Sequence, residues 1–342
     1  MKSHSWQFDA YGAPGVTLQW REQELAEPGP GQAWVKIHAI GMNFSDWTYV
    51  LGRHFPTGKF PSCLGGEAVG EIIALGPRAN SGPAPVSRLQ LDIGARVGTL
   101  SGRVNGAAMG VYRDIGLYQQ ADLVPVPASY SDEEAAALWT AMITMGGAME
   151  MGGMTAATAA CKRVLITAGA SGMGGLALKL ASSWGATTIA TTRKADKAAK
   201  LGQLADRVIV CTDSASLVEG VQKATHGQGV DLVLDPVGAA FYPGFLPAAA
   251  RGAAIVSYEC ISGTQATISI MDMMMKDVSF HGFTIFRPMN DPAMLNRLVD
   301  IGLDNAQALR PVVSRTFDLS AAPEALDVLG RSEHLGKMVI KT

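Results

Sequence analysis

The chain has 342 residues, enough for about two domains of ordinary size with substantial cores. Hydrophobic residues make up 48% and charged residues 17%, which excludes a disordered chain, and the net charge of −2 excludes a generally basic surface for nucleic acid. There is no signal-peptide pattern, no apolar run of about 18 residues and no C-x-x-C pair among the four cysteines. We therefore expect a cytoplasmic protein without membrane spans or a disulfide framework.

The first 125 residues or so have the pattern of short strands joined by loops. Apolar and polar residues alternate over residues 33–40, and turn sequences such as Pro28-Gly29-Pro30-Gly31 interrupt the apolar runs. The pattern changes at Ser131, which forms a capping box with Glu134 and predicts a helix over residues 135–151. A β-rich segment is thus followed by a region of a different kind.

From residue 164 onward, β-branched runs alternate with helical stretches. This alternation predicts an α/β fold with a doubly wound parallel sheet. The predicted strands are residues 164–167, 187–191, 207–211, 231–234, 253–257 and 278–283.

The strongest chemical signal is a glycine-rich turn between the first of these strands and the helix after it. Gly169, Ser171 and Gly174 occupy the positions of G-x-G-x-x-G, with serine in place of the middle glycine. Small residues at this point let the backbone approach a pyrophosphate at the helix N-terminus. The strand–turn–helix context favours a dinucleotide site over a merely structural turn. The residues predicted to contact the dinucleotide are Gly169, Ala170, Ser171, Gly172, Met173 and Gly174.

The end of the second predicted strand indicates which dinucleotide binds. An NAD site places Asp or Glu about 20 residues after the glycines, whereas this strand ends in Thr191 and Thr192, followed by Arg193, Lys194 and Lys197. A solvated basic helix start is the alternative explanation, but cations at a helix N-terminus oppose the helix dipole. An arginine fork and lysines suit the 2′-phosphate. We therefore predict NADPH, contacted by Thr191, Thr192, Arg193 and Lys197.

Several blocks of sequence occur in an order that is characteristic of one superfamily. They are residues 28–37, 41–46, 64–71, 133–138, 229–238 and 336–340, together with the glycine-rich turn. The chain resembles the medium-chain dehydrogenase/reductase superfamily, in particular its zinc-free quinone oxidoreductase branch. The resemblance implies a GroES-like β-rich catalytic domain of residues 1–128 and 287–342, and an inserted Rossmann domain of residues 129–286. It also implies a homodimer, because residues 278–284 resemble the edge strand that pairs across a two-fold axis.

The resemblance also identifies where zinc-dependent relatives hold their catalytic metal. The first ligand position is Asn43, the histidine position is Gly66 beside Glu67, and the third position falls near Thr140. None of the residues at the three positions, Asn43, Gly66 and Thr140, is a good zinc ligand, so we expect no metal. Without a Lewis acid, an alkoxide from a simple alcohol is poorly stabilised, and an electron-poor quinone or conjugated alkene is the better hydride acceptor.

The catalytic candidates lie near the first of these positions. By resemblance, Asn43 donates a hydrogen bond to a developing enolate or quinol oxygen, and Ser45 matches a proton-relaying hydroxyl. Asp46 either takes part in the site or braces a nearby loop. Tyr49 and His54, on the following segment, could protonate the product.

Further cofactor contacts follow from the resemblance alone. They are the nicotinamide-end residues Thr144, Ser257, Thr284 and Phe286, the turn residues Val237 and Gly238, and the pyrophosphate-facing cation Lys337.

Three functions remain open from the sequence. The leading hypothesis is a zinc-independent, NADPH-dependent reductase of quinones or α,β-unsaturated carbonyl compounds. The second is a zinc-free reductase of another carbonyl compound or an enoyl thioester, and the third is an NADPH-binding protein with little turnover. A short-chain dehydrogenase is excluded, because no Tyr-x-x-x-Lys follows the glycine-rich turn.

Overall fold

The computed structural model describes residues 1–53 and 57–342, which pack as two units. Unit 1 consists of residues 1–140, 288–306 and 310–342, and unit 2 of residues 141–287 and 307–309. None of the helices in these described residues is long and apolar enough to cross a membrane.

The secondary structure is numbered in chain order. The strands are β1 Lys2–Gln7, β2 Gln19–Glu24, β3 Gln32–Gly41, β4 Ala68–Leu75, β5 Arg96–Thr99, β6 Ile115–Gln119, β7 Leu123–Pro125, β8 Arg163–Ile166, β9 Thr187–Thr192, β10 Arg207–Val210, β11 Val230–Asp235, β12 Ala249–Ser257, β13 Ser279–Gly282, β14 Val313–Asp318 and β15 Lys337–Lys341. The α-helices are α1 Pro14–Thr17, α2 Phe44–Val50, α3 Gly106–Met109, α4 Asp132–Ala135, α5 Trp139–Met151, α6 Gly172–Ser183, α7 Ala195–Leu201, α8 Ser214–Ala224, α9 Tyr242–Ala248, α10 Ile270–Lys276, α11 Phe286–Met289, α12 Pro292–Asp304, α13 Ala306–Leu309 and α14 Ala322–Gly330. Two 3₁₀ turns lie at Gln120–Asp122 and Leu319–Ala321.

Unit 1 is built around a largely antiparallel sheet in which β3 is central. The strand order is β14-β15-β3-β4-β5-β7, and β6 also pairs with β3. Ile37 and Ile40 of β3 are buried and pack in one core with Leu64, Ile72 and Met338. The β-rich character expected for this part of the chain is confirmed.

The C-terminal segment joins the N-terminal part of unit 1 in this sheet, whereas β1 and β2 form a separate two-stranded sheet. C-terminal strand β15 pairs antiparallel with β3, and β14 pairs parallel with β15, so the last segment completes unit 1. Unit 1 also includes residues 129–140, which the sequence assigned to the other domain. The physical reason is that α4 packs against β3 and β4, and that the backbone N–H of Thr140 donates to buried Glu67.

Unit 2 contains a parallel six-stranded sheet with the order β10-β9-β8-β11-β12-β13. Its central strands β8 and β11 each contain a buried run of three apolar residues, 164–166 and 232–234, as expected for strands with both faces covered. The strand order reverses between β8 and β11, and the crevice at such a switch point is where doubly wound sheets bind ligands. The predicted fold class, a GroES-like domain with an inserted doubly wound α/β domain, is confirmed.

Candidate functional site

The glycine-rich turn of unit 2 is a tight connection from β8 to α6. The Ser171 hydroxyl caps the helix by accepting from the backbone N–H of Gly174 at 3.0 Å. A Cβ at Gly174 would lie 2.7 Å from the carbonyl oxygen of Ala168, and one at Gly169 would lie 2.8 Å from the Cβ of Ala190. Ala168 itself has a positive φ of 50°. The close approach therefore requires the two predicted glycines.

The same turn has the features of an anion site. Helix α6 is twelve residues long, and the first N–H groups of a helix lack partners within it. Ala170, Gly172 and Met173 are only half-buried, so this stretch of backbone is within reach of a ligand. The residues present fit the pyrophosphate of a dinucleotide.

The predicted cofactor contacts at the end of β9 lie in two different surroundings. Thr191 and Thr192 are buried, and their hydroxyls accept backbone N–H groups, that of Ala168 at 3.2 Å and that of Lys194 at 3.2 Å. The two hydroxyls thus brace the glycine-rich turn and the start of α7, because a buried hydroxyl requires a partner. Their contact with the cofactor stays a prediction. Arg193, in contrast, is exposed directly after the strand.

A buried carboxylate that the sequence analysis did not select lies at the end of β11. Asp235 accepts from the Thr167 hydroxyl, from the backbone N–H of Val237 at 3.1 Å and from that of Gly238 at 2.8 Å. Burial raises the pKa of Asp235 to about 6, against the opposing effect of these hydrogen bonds. Val237 and Gly238, predicted as cofactor contacts, therefore use their N–H groups inside the protein. In the sequence, Asp235 is marked as an acidic residue that ends an apolar strand directly before Pro-Val-Gly.

The remaining predicted contacts of unit 2 lie on different elements. Ser257 ends β12, and its hydroxyl shares a hydrogen bond of 2.6 Å with Tyr242. Thr284 follows β13 and is exposed, as is Phe286 at the start of α11. Because β12 and β13 are parallel neighbours, Ser257 and Thr284 lie at the same edge of the sheet. Thr144 is buried within α5. Their contact with a cofactor stays a prediction.

Unit 1 contains a buried group of charged and polar side chains, which we call the Glu67 cluster: Glu67, Asn43, Lys337 and the backbone N–H of Thr140. The Lys337 ammonium donates to Glu67 Oε2 and to Asn43 Oδ1, each at 2.7 Å. The Asn43 amide donates to Glu67 Oε2 at 3.0 Å and to the carbonyl oxygen of Gly41 at 3.2 Å. Thr140 donates its N–H to Glu67 Oε1 at 2.8 Å.

The cluster contains two residues with predicted ligand-binding roles and shows which groups they bind within unit 1. Asn43 was expected to donate to a substrate oxygen, but its amide hydrogens are bound within the unit. Lys337 was expected to face a pyrophosphate, but it is 6% exposed and two of its three ammonium hydrogens are given to Glu67 and Asn43. Both arrangements have one cause: a carboxylate that is 1% exposed must be paired and hydrogen-bonded by its neighbours. Contact of Asn43 with a substrate and of Lys337 with a pyrophosphate stays a prediction.

Asp46 serves the fold next to this cluster. Its Oδ2 accepts the backbone N–H of Asn43 at 2.9 Å, completing a capping box at the start of α2, and accepts the Tyr112 hydroxyl at 3.0 Å. Burial raises the pKa of Asp46 to about 6, and the pKa of Tyr112 lies well above its ordinary value for the same reason. Of the two roles left open, the contacts match the brace.

The other catalytic candidates are separate from the Glu67 cluster. Ser45 is half-buried in the first turn of α2. The Tyr49 hydroxyl lies 2.7 Å from the hydroxyl of Ser62, and its ring packs edge-on against Phe8. His54 falls outside the described residues, and the roles of Ser45 and Tyr49 stay predictions.

The donors at the predicted metal positions do not fit zinc. The amide of Asn43 is already hydrogen-bonded to Glu67 and Gly41. A Cβ at Gly66 would lie 2.9 Å from the Cα of Ser101, so a histidine there requires Ser101 to move. Thr140 turns its hydroxyl to Ser101 Oγ at 3.0 Å. Within residues 1–53 and 57–342 no group of three His, Cys, Asp or Glu side chains is placed to hold a metal ion.

Comparison with known proteins finds two family models that match different parts of the chain. Residues 29–128 match the family model described as alcohol dehydrogenase GroES-like domain, and residues 172–300 match the one described as zinc-binding dehydrogenase. A quinone oxidoreductase of Pseudomonas aeruginosa is 27% identical over 98% of both chains. A 2-haloacrylate reductase of a Burkholderia species is 28% identical over 94% of both chains. The structure of a mycobacterial protein complexed with NADPH is 25% identical, covers 99% of this chain and all of its own, and has a TM-score of 0.82.

Proposed function

Since the chain belongs to the medium-chain dehydrogenase/reductase superfamily, in its quinone oxidoreductase-like branch, we propose that it is a zinc-independent, NADPH-dependent oxidoreductase acting on quinones or α,β-unsaturated carbonyl compounds. The observation that carries the proposal is the Glu67 cluster. At the positions where zinc-dependent relatives hold a metal, the buried cation is the Lys337 ammonium.

The cofactor assignment is supported by unit 2. The turn from Gly169 to Gly174 fits a pyrophosphate, and the chain places Arg193 rather than an acidic residue after β9. A structural relative was solved with NADPH. NADPH supplies the hydride when bound. The glycine-rich turn and Arg193 bind and orient the NADPH molecule.

The acceptor class follows from the charge of the Glu67 cluster. The Lys337 ammonium and the Glu67 carboxylate neutralise each other, and both are hydrogen-bonded to their neighbours. Such a mutually neutralised pair does not polarise a simple carbonyl compound as a Lewis acid does. Quinones and conjugated carbonyl compounds are electron-poor enough to accept hydride without that help, and the name of the 2-haloacrylate reductase relative agrees with this class.

Delivery of the proton is proposed to use Ser45 or Tyr49. The Ser62 hydroxyl lies 2.7 Å from that of Tyr49; when Ser62 donates, Tyr49 accepts and its own hydrogen is available to the product, and solvent returns that proton to the phenolate afterwards. Tyr49→Phe removes the hydroxyl but keeps the ring. Tyr11→Phe is the matched control, because Tyr11 packs against the same ring. A fall in kcat in Y49F but not in Y11F supports the assignment, and equal kcat values contradict it.

The central test is a substrate panel with purified protein. We expect NADPH oxidation with 1,4-naphthoquinone or 2-cyclohexenone, little with a simple aldehyde, and the same rates in the presence of 1,10-phenanthroline. Activity that collapses with the chelator and returns with zinc refutes the proposal. Turnover only with an enoyl thioester favours the second hypothesis, and tight NADPH binding without turnover favours the third.

The oligomeric state is proposed to be a homodimer formed at the β13 edge. In the described sheet of unit 2, β13 pairs with β12 on one side and is the last strand. The adjoining helix α10 exposes four large apolar side chains, each between 64% and 66% exposed: Ile270, Met271, Met274 and Met275. Such a patch is typical of a contact surface. A dimer in light scattering, converted to a monomer by M271E/M274E, supports the proposal, and a monomeric wild type contradicts it.

A further inference from the structure

The carboxylate of Asp235 is a buried ionisable group that the proposed reaction does not use. It is fully buried at the C-terminal end of β11, the strand beside β8 in the sheet. Its three donors come from both sides of the point where the strand order reverses. The Thr167 hydroxyl comes from the end of β8, and the N–H groups of Val237 and Gly238 come from the turn after β11.

The two segments joined in this way have strained or restricted backbones. Thr167 directly precedes Ala168, a non-glycine residue with a φ of 50°, and Gly238 has a φ of 84°. A Cβ at Gly238 would lie 2.7 Å from the carbonyl oxygen of Gly263. Conformations of this kind persist where surrounding contacts hold them. The Asp235 carboxylate supplies such contacts to both segments at once.

Burying an aspartate for a purely structural role at this place costs free energy that a neutral side chain would not. A buried carboxylate loses its hydration, and burial raises its pKa in spite of three hydrogen bonds. The carboxylate has two oxygens, which accept hydrogen bonds from two different segments, Thr167 and the 237–238 turn.

We propose that Asp235 is a positioning residue for the dinucleotide. By joining Thr167 to the 237–238 turn, it holds the glycine-rich turn after β8 and the turn after β11 at the spacing that dinucleotide binding requires. The inference rests on the proposed function, because it presupposes a dinucleotide at the switch point. It assigns Asp235 no contact with the cofactor and no part in the chemical step.

The test is Asp235→Asn, which keeps the shape but replaces one acceptor oxygen with an NH₂ group that faces a donor. Because a hydrogen bond to a charged group is lost, we expect Kd and KM for NADPH to rise about tenfold, with kcat at saturating NADPH within about threefold of the wild type. Asp231→Asn is the matched control. Asp231 lies at the start of the same strand, paired with Arg163 at 3.0 Å, and its loss should leave the NADPH Kd unchanged.

A second pair of variants covers the case in which D235N does not fold. Thr167→Val keeps the volume of the side chain and removes the hydroxyl, whereas Thr167→Ser keeps the hydroxyl. We expect T167V to raise the NADPH Kd several-fold and T167S to restore it. This rescue distinguishes positioning from a general loss of stability.

The outcomes separate the two proposals. If the wild type binds NADPH in a fluorescence titration but D235N, or T167V where D235N is unfolded, binds it within twofold of the wild type, the positioning role is refuted and the proposed function stands. If the wild type binds no NADPH, the proposed function fails and this inference fails with it.

Discussion

The buried pair of Lys337 and Glu67 allows a quantitative test of the candidate site in unit 1. Lys337→Met removes the ammonium and leaves a carboxylate that is 1% exposed without its counter-ion. Removing one partner of a buried ion pair costs about 3–5 kcal/mol, because the remaining charge stays desolvated. For a unit of this size, at about 2–4 °C per kcal/mol, we expect the unfolding midpoint to fall by roughly 6–20 °C.

The chain supplies its own control and a convenient probe. Lys341 lies on the same strand β15 and pairs with Glu133 at 3.0 Å, but it is exposed, so Lys341→Met should change the midpoint little. Five of the six tryptophans belong to unit 1, so tryptophan fluorescence follows mainly the unfolding of this unit.

A double-mutant cycle decides whether the cost arises from the unpaired charge. Glu67→Gln alone leaves the ammonium unpaired, whereas K337M/E67Q removes both charges together. We expect the double variant to be more stable than the sum of the two single losses predicts, by at least ~1 kcal/mol. The reasoning is refuted if K337M unfolds at the same temperature as K341M, or if the two losses simply add.

Three further predictions concern the cofactor site and pH. Gly174→Ala places a Cβ 2.7 Å from the carbonyl oxygen of Ala168, and in a fluorescence titration we expect NADPH affinity to fall by about tenfold or more. Arg193→Ala with Lys197→Ala should weaken NADPH by about tenfold and leave NADH unchanged, because only NADPH carries the 2′-phosphate; an equal loss for both contradicts the assignment. Asp46 has a pKa of about 6 in the folded chain against an ordinary 3.8, so the folded state holds this proton more tightly and the free energy of unfolding falls as pH rises from 4 to 6. Asp46→Asn should remove a fall of up to ~3 kcal/mol, seen as a smaller midpoint difference between pH 4 and pH 7 in chemical denaturation.

The sequence was sufficient for those features that depend on neighbouring residues. Alternating apolar runs and helical stretches predicted the parallel sheet of unit 2. The turn from Gly169 to Gly174 was recognisable because its strand, glycines and helix follow one another directly. In both cases local conformational preference and the tertiary structure agree.

The side-chain partners were harder to predict, for a physical reason. Lys337 and Glu67 are separated by 270 residues, and the pairing of β3 with both β15 and β4 brings them together. The sequence placed Asn43 at a ligand position, yet which group receives its amide hydrogens is decided by that distant carboxylate. Asp235 was missed for the same reason, since one of its donors comes from a different strand. Residue type and position indicate where a polar group lies, whereas burial and tertiary packing decide its partners.

The Glu67 cluster also explains how a site at these positions can be stable without a metal. A divalent cation would compensate Glu67 and leave a coordination position for a substrate oxygen. An ammonium compensates the same carboxylate, but it does so with directed hydrogen bonds that Glu67 and Asn43 already take up. The site is therefore electrostatically satisfied before any substrate arrives, and little of its charge remains to stabilise an alkoxide. Under the proposed function, reactivity at such a site comes from the acceptor, so we expect this chain to differ from zinc-dependent relatives in substrate choice as well as in metal content.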